Sequence, residues 1–162
     1  MDENKANLKN LPYRNGVGIV LLNKENKVFV ARRIDNARDY WQMPQGGKDK
    51  GENNIDAALR ELNEETSIKN VTILKEIDET ITYNLPKSLL GIIWKGKYKG
   101  QIQKWFIMKF NGKDEEINLK TKNPEFLEWK WIDIDKITDS VVEFKLEVYK
   151  KLKNEVKKII SN

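Results

Sequence analysis

The chain contains no cysteine and no histidine. Without cysteine there are no disulfides, no thiolate nucleophile and no thiolate metal ligands, which suits a reducing compartment. Without histidine, Ser-His-Asp catalysis, imidazole general bases and the common zinc sites drop out together. Long apolar runs are missing too: nothing approaches the roughly 20 residues that span a bilayer. The opening segment MDENKANLKN is polar and lacks the apolar centre of a signal peptide, so a cytoplasmic location without a membrane partner is expected. Any catalysis must therefore use carboxylates, Lys, Arg, Tyr, backbone amides or a hard metal held by oxygens.

What is present suits a soluble globular protein. With 162 residues, 39% hydrophobic and 34% charged, the expectation is one domain over residues 1–162, with 1–12 frayed. A net charge of +5 leans toward polyanionic partners. A Lys-, Asn- and Ile-rich coding bias would give the same excess.

Periodicity gives the outline. GVGIVLLN (Gly16 to Asn23) and KVFVARR (Lys27 to Arg33) are β-rich and separated by KEN, which predicts a hairpin. A loop follows from Ile34 to about Gly51. The next segment places Ile55, Leu59 and Leu62 on one helical face, with Asn53 or Asn54 as cap. VTILKEIDETITYNLP, QKWFIMKFN and EFLEWKWIDID read as strands. From Val141 onward, Val142, Leu146, Tyr149, Val156 and Ile160 recur at helical spacing. Mixed strands with two helices predict an α/β layered domain.

Within the first helix, RELNEET crowds Glu61, Glu64 and Glu65 into about a third of the circumference. Like charges there repel by a few tenths of a kcal/mol, and the last helical turn already disfavours anions. Within the helix no Lys or Arg follows three or four residues later on that face; Lys69, four residues after Glu65, comes only after Ser67. Ala57 and Ala58, one turn back, would leave space beside the carboxylates, although Ala is also simply the best helix former. A solvated acidic face is the bland reading. A cation gives another: three carboxylates without His or Cys form a hard oxygen site suited to Mg²⁺ or Mn²⁺. Since Mg²⁺ takes further ligands from phosphates, phosphate chemistry is the place to look.

The wider spacing is more specific. Gly46, five residues, Glu52, seven residues, then Arg60-Glu61-Leu62-Asn63-Glu64-Glu65-Thr66-Ser67-Ile68 resembles the Nudix box, Gly-x5-Glu-x7-Arg-Glu-U-x-Glu-Glu-x-Gly-U, where U is a bulky aliphatic residue. Only Ser67 departs. The usual Gly there ends the helix in a left-handed conformation, so Ser67 either adopts that conformation at a cost of about 1–2 kcal/mol or the helix ends differently. WQMPQGG (Trp41 to Gly47), with Gln45 before the glycines, resembles the variant found in bacterial RNA pyrophosphohydrolases and related dinucleoside polyphosphate hydrolases. YRNGVGIVLLN, ARR, YNLPK, QKWF, PEFLEWKW and VVEFKLEVY match the same pattern in order, over roughly Tyr13 to Tyr149. Asn15 replaces the usual Pro, and two extra residues fall between Arg33 and Trp41, in the loop Ile34 to Tyr40.

The resemblance implies a Nudix-type α/β/α sandwich with a mixed β-sheet, the box forming loop-helix-loop, and attack of water on a phosphoanhydride with Mg²⁺ or Mn²⁺, more than one ion. It implies Glu61, Glu64, Glu65, the Gly46 carbonyl and Glu125 as metal ligands, with either Glu64 or Glu125 as general base. Arg60 would orient a carboxylate and Glu52 would support the site. Arg14, Arg33 and Lys145 match positions that contact the 5′ polyphosphate or its flank, although each alone reads equally as surface charge. Val142 and Phe144 match positions that hold a base, although core packing suits Phe144 as well. The substrate expected is the triphosphorylated or diphosphorylated 5′ end of RNA, with dinucleoside polyphosphates such as Ap4A or Ap5A as the alternative. A non-catalytic RNA- or nucleotide-binding protein of the same scaffold would be expected to have lost a box carboxylate. No residue pattern points to an accessory protein.

Overall fold

Successive side chains of strand β1 (Arg14–Leu22) face opposite ways and enter two different cores. In the computed structural model, which describes residues 8–35 and 38–161, Val20 and Leu22 join Trp105, Ile107, Tyr149 and Leu152 on one side. Val17, Ile19 and Leu21 join Leu62, Phe106 and Met108 on the other. Both faces are covered, which explains why β1 reads as a continuous apolar run.

β1 lies at the centre of a mixed sheet ordered β4-β6-β1-β2-β7, with β2 at Val28–Arg33, β4 at Val71–Glu76, β6 at Gly100–Phe110 and β7 at Phe126–Ile132. β1 and β6 run parallel, from Arg14 opposite Gln101 to Leu22 opposite Lys109. The pairings β1–β2, β2–β7 and β4–β6 are antiparallel. Two short strands attach to this path: β3 (Gln45–Gly47) pairs with β1 and β5 (Ile81–Asn84) with β6. Helix α1 (Asn54–Thr66) covers one face and helix α2 (Leu146–Ile160) the other, giving an α/β/α sandwich. Each large apolar side chain buried in either core contributes about 1.5–3 kcal/mol. Among the described residues no helix is long and apolar enough to cross a membrane.

Helix α1 begins at Asn53, whose side chain accepts the Asp56 N–H at 2.9 Å. It ends at Ser67, which adopts the left-handed conformation (φ 67°, ψ 4°) and donates its N–H to the Asn63 carbonyl. The Ser67 hydroxyl donates to the Asn118 carbonyl at 2.9 Å, a tertiary hydrogen bond that glycine could not make and that offsets part of the strain.

Three sequence expectations need correction. Ala57 and Ala58 leave no space for a ligand; both are fully buried, and their small side chains let α1 sit close against the sheet. Beside them Leu62 is buried, whereas Ile55 and Leu59 are only partly so. Helix α2 starts at Leu146 rather than Val141, because Val142 is extended (φ −60°, ψ 141°) and Glu143–Lys145 form a 3₁₀ turn. The expected loop from Ile34 to Gly51 contains β3 and an Ala31–Gln42 bridge. Of the segment expected to fray, residues 1–7 lie outside the described residues, while the Pro12 carbonyl accepts the Lys99 N–H.

Candidate active site

WQMPQGG is tied down along its length. The Trp41 N–H donates to Ser140, Gln42 exchanges hydrogen bonds with Ala31, the Met43 N–H donates to the Tyr149 hydroxyl, and the Pro44 carbonyl accepts the Ile19 N–H. Gln45 to Gly47 then pair with β1. This fixed segment passes close to α1: a Cβ on Gly46 would stand 2.1 Å from the Glu61 carboxyl carbon, so only glycine lets the two meet. Gly47 makes similar room for Arg14, whose Nη2 a Cβ there would meet at 2.2 Å.

Arg60 answers the question of charge crowding. It precedes the acidic residues rather than following them, and its fork reaches backward and forward at once. Nη1 donates to Glu61 Oε1 at 2.9 Å and Glu64 Oε2 at 3.2 Å, while Nε and Nη2 donate to Glu52 and Nη2 also to the Gly47 carbonyl. The fork draws the Glu52 carboxyl down to about 2, helped by the Asp49 N–H. The charge-assisted bonds hold the Arg60 guanidinium firmly protonated.

Glu65 has no such partner. It is 4% exposed and its Oε2 is buried without a hydrogen bond. Burial pushes its carboxyl well above the usual range, and Glu125 and Glu61 nearby push the same way. Burial also raises Glu61, with Arg60 opposing. A buried carboxylate oxygen without a donor is an atom that a cation would satisfy. Glu61 and Glu125 stand close by, and an all-oxygen set of this kind fits Mg²⁺ or Mn²⁺ better than softer metals. Among the described residues no three acidic side chains already converge as a metal-binding group. Glu61 and Glu64 both accept hydrogen bonds from Arg60.

Two clefts meet at these carboxylates. One, of about 670 Å³, is lined by Glu61, Glu65 and Glu125 together with Gly46, Arg14, Arg33, Val142, Phe144 and Lys145. The second, of about 720 Å³, shares Glu61, Glu65 and Glu125 and adds Glu64, Lys69 and Lys122. The candidate residues expected from sequence are thus brought around one acidic ridge, with Glu64 on its far side and Arg60 behind it. Val142 owes its place to the extended segment before α2 and not to a helical stripe. Phe144, expected either to hold a base or to pack in the core, packs partly against the core and also lines the cleft.

Basic groups face the ridge in different states. Arg33 is held by Asp35 through two hydrogen bonds, 2.9 and 3.0 Å, which puts the start of the Ile34–Tyr40 loop at the cleft; Asn36 and Ala37 in that loop lie outside the described residues. Lys145 is 7% exposed and sits 5.6 Å from the Tyr83 ring centroid and 5.8 Å from that of Phe144. Burial lowers its ammonium to about 8, with Arg33 adding repulsion.

Several cleft residues were given no role from the sequence. Tyr83 packs on Phe144 with ring centroids 5.7 Å apart and accepts a 3.3 Å hydrogen bond from Gln45. Gln45 in turn accepts from the buried Gln103, which also donates to Gln101. A Gln-x-Gln pair inside an apolar strand was the available signal, since buried amides need partners. Trp94 lines the cleft from a segment with no periodicity at all.

Comparison with known proteins adds the lineage. A model described as the NUDIX domain matches residues 12–152. An RNA pyrophosphohydrolase of Pelagibacter ubique is 67% identical over 161 residues, covering 99% of this chain and 100% of the relative. One from Orientia tsutsugamushi is 45% identical over 155 residues, 96% of each. Among solved structures, a MutT protein from Methanosarcina mazei superposes with a TM-score of 0.69 at 20% identity, covering 91% of this chain and 98% of that one. An Ap4A hydrolase from C. elegans gives 0.61 at 20% identity, covering 87% and 97%. At such identities the structural likeness speaks for the fold.

Proposed function

The chain belongs to the Nudix family of hydrolases, and on that footing we propose that it removes pyrophosphate from the triphosphorylated 5′ end of RNA, or phosphate from a diphosphorylated end, in a single cytoplasmic domain. One observation carries the reading: a single cleft combines the carboxylates Glu61, Glu65 and Glu125 with the cations Arg14, Arg33 and Lys145 and the aromatic pair Tyr83–Phe144. Anhydride chemistry needs the first group, a polyphosphate the second, and a nucleobase the third. The curated relatives named RNA pyrophosphohydrolase support the same substrate.

Glu61, Glu64, Glu65, Glu125 and the Gly46 carbonyl would hold the divalent ions, Mg²⁺ or Mn²⁺ and more than one. Bound there, such ions would neutralise phosphate charge and make water easier to deprotonate. The chain's own groups do the rest. Arg60 fixes Glu61 and Glu64 and ties α1 to the Gly47 carbonyl, so that the carboxylates and the WQMPQGG segment keep one geometry. Arg14, Arg33 and Lys145 take the charge of the polyphosphate. Glu64 or Glu125 accepts the proton of the attacking water. Water adds at phosphorus, the anhydride bond breaks, and the products are a 5′-monophosphorylated RNA and pyrophosphate.

Turnover of 5′-triphosphorylated RNA and Ap5A in one Mg²⁺ buffer tests the proposal. RNA should be the better substrate by kcat/KM. A hundredfold preference for the dinucleotide would overturn the ranking in favour of a dinucleoside polyphosphate hydrolase, which could use the same carboxylates.

A further inference from the structure

Trp94 stands on the wall of the cleft that holds the carboxylates, although nothing in the reaction requires it. Its position is unusual in backbone terms. Trp94 (φ 52°, ψ 38°) and Lys95 (φ 58°, ψ 25°) are consecutive left-handed residues inside a short 3₁₀ segment, a conformation that bulky side chains rarely adopt. The Arg14 guanidinium carbon lies 5.2 Å from the Trp94 ring centroid, and Tyr98 meets the ring edge-on at 6.2 Å. Arg14 also packs close to Gly47, where a Cβ would stand 2.2 Å from its Nη2. The arginine is therefore in contact with both a peptide segment and an indole. Lys95 and Lys97 follow Trp94 directly, and both are exposed.

The Tyr83–Phe144 pair with Lys145 already offers an aromatic surface to one base. We propose that Trp94, together with Arg14, forms a second stacking wall, for a nucleobase of single-stranded RNA downstream of the reacting 5′ end, with Lys95 and Lys97 meeting the phosphodiesters beyond it. Every base has a face that an indole can stack on, so the subsite is indifferent to sequence. It responds to chain length instead, because a substrate ending at its first nucleotides has no base to place there. The inference rests on the RNA-end reading given above.

Trp94→Leu keeps an apolar side chain for packing but removes the π face, and Trp94→Phe restores a smaller one. Steady-state kinetics of wild type and both variants would be measured on a triphosphorylated dinucleotide and on a longer unstructured triphosphorylated RNA, with thermal unfolding as the check on folding. For the longer RNA, Trp94→Leu should raise KM on the order of tenfold with kcat little altered, and Trp94→Phe should recover most of the loss. The wild-type advantage of long over short RNA should shrink in the leucine variant. A wild-type KM in Trp94→Leu, or a fall in kcat alone, overturns the subsite while leaving the RNA-end reading intact. Failure of the wild type to hydrolyse either RNA, with dinucleoside polyphosphates still turned over, removes both.

Discussion

Arg60 and Glu52 meet as a two-pronged pair, Nε to Oε2 at 2.8 Å and Nη2 to Oε1 at 2.9 Å. The pairing holds the Glu52 carboxyl at about 2, below its unfolded value of about 4.3. A carboxyl depressed by folding contributes stability that is complete above the unfolded value and is lost as pH falls through the folded one. Urea denaturation should therefore show wild type losing stability more steeply than Glu52→Gln between pH 4.5 and 2. Parallel curves for the two proteins would show that the pair adds nothing in acid.

Glu64 is the most exposed member of the acidic ridge that contacts Arg60, at 58% of its side chain. Its replacement by Gln should leave thermal stability almost unchanged, since exposed ion pairs contribute about 0–1 kcal/mol. Turnover should fall by orders of magnitude. Activity near the wild-type level in Glu64→Gln would remove Glu64 from the chemistry.

The Glu65 carboxyl is raised by folding, so the ion-free protein should gain stability as pH drops from neutrality toward 4.5. Ion binding favours the charged form and must release a proton. Calorimetric titration with Mg²⁺ in two buffers of different ionisation enthalpy should reveal that release. Glu65→Gln should stabilise the ion-free protein at neutral pH, because a neutral amide replaces an acid whose charged form is disfavoured by burial and by Glu125 and Glu61. The same variant should lose most of the thermal shift that Mg²⁺ gives wild type.

Two glycines in the same region give opposite expectations. Gly46→Ala places a Cβ 2.1 Å from the Glu61 carboxyl carbon, and one of them must move. Activity should drop at least about tenfold, as misplacements near 1 Å commonly do. Gly51 has a left-handed φ of 81° but open space around its Cβ position. Gly51→Ala should cost about 1–2 kcal/mol of stability and leave kcat close to wild type. Equal activity in the two variants would detach Glu61 from catalysis.

Burial lowers the Lys145 ammonium to about 8, so if it meets the polyphosphate as proposed, kcat/KM for RNA should decline as pH rises through that value and the charge is lost. Lys145→Met should lack this limb of the profile. Folding has an opposite slope: a lysine depressed by burial burdens the native state below its folded value, so wild-type stability should rise with pH between about 8 and 10.5. Persistence of the alkaline limb in Lys145→Met would assign it to another group.

Much of the architecture was legible because it rests on period and spacing. The run of β1, the strand around Trp105 and the box helix announce themselves through apolar repeats, and Gly46, Glu52 and Arg60 to Glu65 through fixed intervals. Helical position alone misled at Ala57 and Ala58, because a wheel gives direction but not distance, and small residues mark close helix–sheet contact as readily as open space. The backward reach of Arg60 to Glu52 depends on how the loop closes, which no local pattern encodes. β3 is three residues long, too short for alternation to register. Trp94 owes its place to positive φ angles, and a tryptophan carries no sign of them in sequence.

Arg60 has a last consequence, for the order of assembly. Because one guanidinium quiets three of the acidic side chains around it, α1 can complete its packing in a magnesium-poor solution. Loading of the proposed ions would then be a reversible equilibrium of the finished molecule, and chelation should abolish activity without unravelling the protein.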